Sequence, residues 1–126
     1  MNKKVLDSSA ILAVIYQETG AETVEPLLKT SLVSSVNLAE VCTKLAEKNV
    51  LDKQAIDDFQ KLGLEIVDFD LEQAVKVAEL RPLTKHLGLS LGDRSCLALA
   101  MLRNTVAVTA DKSWKKLSLC EIEVIR

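Results

Sequence analysis

KVLDSSAIL, residues 4–12, is the stretch on which the fold turns. Lys4 to Leu6 reads as a short buried strand, and Ser8 or Ser9 is suited to cap a helix over residues 10–17, because a side-chain oxygen can accept from an orphan amide of the first turn. Asp7 falls where the strand hands over to the helix. The same handover recurs along the chain. Strand-like runs at 32–34, 65–69, 105–108 and 122–125 alternate with helical stretches, and strands separated by helices imply right-handed crossovers and a parallel sheet covered on both faces. The expected fold class is α/β, a three-layer α/β/α sandwich with a central parallel sheet.

The helical stretches carry their own signals. One begins at Gly20 and contains Pro26, which lacks an amide hydrogen and so requires a kink or a restarted turn. Over 36–48, Leu38, Val41, Cys42 and Leu45 recur at helical spacing, while Asn37, Glu40 and Lys44 share the adjoining face. Asp52 caps a helix that ends at Gly63. Asp70 caps another running to Leu80, with Leu71, Ala74, Val75 and Ala78 expected inward and Pro82 ending or interrupting it. Residues 82–91 read as a short helix or loop leading to Gly92 and Asp93. The run 95–102 is nearly all small and apolar, as a helix buried on most sides would be, and 112–116 reads as a short helix.

With 126 residues the chain can bury one sizeable core, so residues 1–126 are expected to form a single domain. Its 48% hydrophobic and 3% aromatic content implies an aliphatic core, in which Trp114 and Phe69 are expected to serve as packing. The longest apolar run, 10–16, is far short of the roughly 20 residues that span a bilayer, and the first seven residues carry an acid instead of a secretory pattern. A cytoplasmic protein with no membrane partner is expected. Cys42, Cys96 and Cys120 are odd in number, widely spaced and set among apolar neighbours, which points to a reducing compartment and away from zinc. A net charge of −2 excludes a protein that coats nucleic acid, so any such contact must be local. Lys44 and Lys48, Arg94, and Lys112, Lys115 and Lys116 lie near the acids described next. Lys44, Arg94 and Lys112 are the candidate nucleic-acid contacts.

Four acids share the strand-to-helix setting: Asp7 in KVLDSSAIL, Glu40 in SSVNLAEV, Asp93 in LSLGDRSCLALA and Asp111 in VAVTADKSW. Ligands of open parallel sheets bind beyond the carboxyl ends of the strands, where Asp7 and Asp111 fall. Carboxylates gathered within a few ångströms raise one another's pKa, and a hard dication such as Mg2+ or Mn2+ resolves the conflict. Ser9, Asn37 and Thr109 stand close enough in sequence to orient such acids. No serine has an evident histidine partner, and His86 is alone, so the expected chemistry is metal-assisted hydrolysis of a phosphodiester, leaving a 5′ phosphate and a 3′ hydroxyl. Each acid also has a plain structural explanation. Asp7 and Asp111 would cap the turns that follow them, Asp93 would complement a helix dipole, and Glu40 would pair with Lys44 in the favourable i, i+4 order.

These four blocks resemble the motifs of the PIN-domain ribonucleases, particularly the VapC-type toxins of bacterial toxin-antitoxin pairs, and the resemblance covers essentially the whole chain. It implies that Asp7, Glu40, Asp93 and Asp111 are the metal-binding acids and that Ser9, Asn37 and Thr109 are polar accessories. It further implies Mg2+ or Mn2+ as cofactor, RNA as substrate (often tRNA or ribosomal RNA), a homodimer, and a cognate antitoxin that silences the site. Part of the antitoxin's groove is expected along residues 11–16 and near Pro26 and Leu27. The alternative is a catalytically silent PIN-like module that binds RNA or protein. A haloacid-type phosphatase would need a second acid where Ser9 stands, and a phospho-acceptor domain would need a paired acid after the first strand, where two serines follow Asp7.

Overall fold

The computed structural model describes residues 3–126; Met1 and Asn2, part of the N-terminal stretch read above, lie outside the described residues. Five parallel strands, β1 (Lys4–Leu6), β2 (Ser31–Ser34), β3 (Glu65–Val67), β4 (Ala107–Thr109) and β5 (Ile122–Val124), lie in the order β3-β2-β1-β4-β5. The helices are α1 (Ser8–Ile15), α2 (Ala21–Val24), α3 (Ser35–Glu47), α4 (Lys53–Lys61), α5 (Leu71–Thr84) and α6 (Leu91–Leu102). The chain lays β2 and β3 to one side of β1, then crosses to place β4 and β5 on the other. The order therefore reverses between β1 and β4, and in open parallel sheets a crevice opens at such a point.

Strand side chains alternate between the two faces, which divides the core into two. Val5, Leu32 and Ala107 face a cluster with Val77 and Leu80 of α5 and Cys96, Leu97 and Leu99 of α6, closed by Trp114. Leu6, Val33 and Val108 face Ala10, Ile11 and Val14 of α1, Val24, Leu28, and Val41 and Leu45 of α3. This is the α/β/α sandwich the alternation predicts. Trp114 is fully buried and Phe69 packs against the first cluster, as expected for so few aromatics. Pro26 is the second residue of a 3-10 segment, Glu25–Thr30, that follows α2, so the chain restarts a turn there. Asp52 and Asp70 each accept from the amide three residues on, capping α4 and α5.

Several boundaries differ from expectation. The cap of α1 is Asp7 itself, which accepts from the Ala10 amide at 2.9 Å, so the helix starts two residues early at Ser8. β3 stops at Val67, and β4 runs Ala107–Thr109, starting and ending later than read. α5 continues past Pro82 to Thr84, because proline near the end of a helix forfeits only one bond. Its inward face is Gln73, Val77, Leu80 and Thr84; Leu71 and Val75 are instead 80% and 53% exposed. The polar members of that face bond locally, Gln73 Nε2 to the Asp68 carbonyl and Thr84 Oγ1 to that of Leu80.

Candidate active site

Asp7 is held at the carboxyl end of β1, with only 3% of its surface exposed. Its Oδ1 accepts from Ser9 Oγ at 2.7 Å and from the Ala10 amide, and its Oδ2 accepts from Thr109 Oγ1 at 2.6 Å. Ser9 Oγ in turn accepts from the Ala110 amide, and Thr109 Oγ1 from that of Asp111. Thr109 closes β4, so these bonds tie β1 to β4, the two strands between which the order reverses. Burial pushes the Asp7 carboxyl up from 3.8 to about 6; the bonds from Thr109, Ser9 and Ala10 oppose the shift, and the nearby charge of Asp93 adds to it.

Glu40 lies in the second turn of α3. Among the described residues no ion pair joins it to Lys44; the pairs are Lys3–Glu65, Lys4–Glu123, Lys76–Glu79 and Arg126–Glu18. Instead Asn37 Nδ2, fully buried one turn earlier, donates to Glu40 Oε1 at 2.9 Å and to the Gly92 carbonyl at 3.0 Å. The Glu40 carboxylate rests directly on Gly92, where a Cβ would overlap it. The helix bearing Glu40 is thereby docked on the first turn of the helix bearing Asp93. Asp93 forms a capping box with Ser90, its Oδ2 accepting from the Ser90 amide while the Ser90 hydroxyl accepts from the Asp93 amide.

Asp7, Asp93 and Glu40 thus stand around the start of α6. Burial raises the thiol pKa of Cys96, one turn below Asp93, well above its usual value, and the charges of Asp7, Asp93 and Glu40 all contribute. Asp111 stands farther out. It is exposed and caps its own 3-10 turn by accepting from the Ser113 amide, and it meets Asp7 only through Thr109. Among the described residues no three acid side chains converge closely enough, as they stand, to hold an ion. The donor chemistry nevertheless fits a hard dication: carboxylate oxygens and no thiolate or imidazole, an under-compensated buried Asp7, and a buried Asn37 Oδ1 with no hydrogen-bond partner.

The cations divide. Lys44 and Lys112 are exposed. Arg94, expected to reach nucleic acid, is half-buried: its Nη1 donates to the Val77 carbonyl of α5 at 3.1 Å and its Nε is buried without a hydrogen-bond partner. Beside α1, where the groove is expected along residues 11–16 and near Pro26 and Leu27, an open concavity of about 360 Å³ is bounded by Val14 and Ile15, by Leu45 of α3 and by Ala55, Phe59 and Leu62 of and just after α4; Pro26 and Leu27 do not line it. Sequence reasoning gave Gly92 and Ser90 no role in placing the acids. The available signal was a glycine next to an acid in the first turn of a strong helix.

The Asp7 shift predicts a pH dependence. A carboxyl whose folded pKa exceeds its unfolded one binds its proton more tightly in the folded state, so its contribution falls as pH rises from about 3.8 to about 6 and is flat above. Without divalent ions the melting temperature should therefore lose ground across that window, and adding Mn2+ at pH 7 should recover it. Melts at pH 5 and 7, with and without Mn2+, check this.

No curated protein matches the sequence. Among solved structures, the chain is similar to VapBC2 from Rickettsia felis bound to a DNA fragment from their promoter (TM-score 0.74, 23% identity, 95% of this chain and 96% of that one). It is also similar to DNA-bound VapBC from Salmonella typhimurium (0.77, 20%, 100% of both chains) and to FitAcB from Neisseria gonorrhoeae (0.75, 21%, 95% and 96%). At these identities the likeness is one of fold. The sequence profile of the PIN domain matches residues 4–118, nearly the full length, and the chain belongs to the PIN domain family.

Proposed function

We propose that this chain is a VapC-type toxin, an endoribonuclease that hydrolyses phosphodiester bonds of tRNA or ribosomal RNA and is silenced by a cognate antitoxin. PIN domains are generally nucleases that depend on divalent metal. Here Asp7, Glu40, Asp93 and Asp111 would hold Mg2+ or Mn2+. The observation that carries the reading is Asp7, a carboxylate buried at the carboxyl end of β1, held by Ser9, Thr109 and the Ala10 amide with no cation beside it among the described residues and with Asp93 close enough to oppose its ionisation. Such a group costs stability in the absence of a counter-charge, and a metal site explains why it is there.

When bound, a divalent ion would acidify a water and offset charge growing on the phosphodiester. The chain's own residues do the positioning. Ser9 and Thr109 fix both Asp7 oxygens, and Asn37 fixes Glu40. Among the described residues the Asp93 and Asp111 carboxylates each accept one bond, from within their own turn, so each would turn towards Asp7 by giving up one local bond. Lys44 and Lys112, exposed near Glu40 and Asp111, would meet the RNA backbone. Two copies would form a homodimer. An antitoxin segment would lie in the groove between α1, α3 and α4 and present a basic side chain to the acids; the VapBC and FitAcB structures support a partner of this kind.

The test is inducible expression in a bacterium of wild type and Asp93→Asn, following growth and mapping new RNA 5′ ends. Growth arrest with discrete new ends in wild type alone is the expected result. Soluble protein with neither effect, in several hosts, would favour the silent binding module.

A further inference from the structure

Gly92 occupies the second position of α6, where helix propensity favours almost any other residue. Nothing in its backbone demands glycine: Gly20, Gly63 and Gly88 adopt left-handed φ, whereas Gly92 is an ordinary helical residue. Nor is it an exposed position where the choice is free, since it is buried. What distinguishes it is its neighbour. The space a Cβ would fill is taken by the Glu40 carboxylate, with Oε1, Oε2 and Cδ the nearest atoms. The backbone of Gly92 is part of the same arrangement, because its carbonyl and Glu40 Oε1 share the Asn37 amide.

We propose that Gly92 is a positioning residue that, with Asn37 as a clasp, seats the Glu40 carboxylate against the first turn of α6 and so sets its placement beside Asp93. The inference rests on the nuclease reading above. Glu40 comes from a helix on the other side of the sheet from α6 and is half-buried at their junction. A methyl at position 92 would force its carboxylate off α6 and away from Asn37. The fold would survive, because a glutamate can swing outward towards solvent and alanine favours the helix. What changes is the relation between two acids that must act on one ion.

Mn2+ binding by calorimetry and melting temperature, measured on wild type, Gly92→Ala, Glu40→Asp and the double variant, test this. Gly92→Ala is expected to melt at or above wild type yet to bind Mn2+ roughly 10- to 100-fold more weakly, the range seen when groups that orient ligands are lost. The double variant is expected to bind more tightly than Gly92→Ala alone, because a side chain one methylene shorter draws back from the new methyl. The Asn37 side-chain amide resonance should shift in Gly92→Ala. Unchanged Mn2+ affinity in Gly92→Ala, or purely additive losses in the double variant, overturns the proposal. Should Gly92→Ala fail to fold, recovery of binding in the double variant supports the role and its absence overturns it. A wild-type protein that takes up no Mn2+ overturns the nuclease reading, and this inference with it.

Discussion

Asp93→Asn is expected to reduce RNA cleavage by roughly 100- to 1,000-fold or more, the scale on which a single preorganised electrostatic group counts in catalysis. The fold should hardly notice. Asparagine keeps the shape and can still accept from the Ser90 amide through Oδ1, so the capping box survives in part. What is lost is a negative charge in the first turn of α6, a matter of about 0.3 to 1 kcal/mol at a helix N-terminus. For a chain of this size that moves the melting temperature by a few degrees at most. Cleavage of a defined RNA, read beside thermal melts, separates the two effects. Near wild-type activity in folded Asp93→Asn protein would remove Asp93 from the mechanism.

Asp7→Asn is expected to abolish cleavage to a similar degree and, in contrast, to stabilise the metal-free protein above pH 6. The wild type then carries an ionised carboxylate that burial disfavours. With a carboxyl raised from 3.8 to about 6, removing the charge is worth on the order of 1 to 3 kcal/mol, the upper end being the full linkage value. The amide fits the site: Oδ1 can keep the Ser9 and Ala10 bonds, and Nδ2 can donate to Thr109 Oγ1 once that hydroxyl turns its proton elsewhere. Melts from pH 4 to 8 should lose their dependence on this group in the variant. Mn2+ should reverse the ranking, because only the wild type gains from binding. An Asp7→Asn protein less stable than wild type at pH 7.5 without metal would mean that the carboxylate is structural.

Part of the candidate site was legible in the sequence. Each acid announced itself locally, since an acid after an aliphatic strand or in a helix's first turn is visible within nine residues. The alternation of strands and helices was enough to imply a sandwich with a sheet covered on both faces, and Val5 and Leu6 do lie in opposite core clusters. The plain explanation of Glu40 as a partner of Lys44 did not survive, because Asn37 and Gly92 hold it instead.

What escaped the sequence depended on partners distant along the chain. α5 carries two apolar stripes, and the one with more obvious hydrophobes, Leu71, Val75 and Ala78, faces outward. The buried stripe includes Gln73 and Thr84, whose polarity hid it until their local carbonyl partners were known. Arg94 beside Asp93 suggested an RNA contact, and nothing in the sequence signalled that the Val77 carbonyl on α5, 17 residues earlier, accepts from its Nη1. Gly92 acquires meaning only through Glu40, which stands 52 positions before it. For the cap of α1 the sequence left both Asp7 and Ser8 or Ser9 open; Asp7 takes the role and Ser9 becomes its donor, a choice that local propensity does not distinguish.

The most direct test of the account is cleavage of total bacterial RNA by purified wild-type protein, with Mn2+ or Mg2+ supplied or with all divalent ions chelated, followed by analysis of the new ends. Discrete cuts bearing 5′ phosphate and 3′ hydroxyl groups, abolished by chelation and restored by adding either ion, are predicted. Cleavage that persists undiminished in chelator would contradict the claim that these carboxylates work by holding a metal.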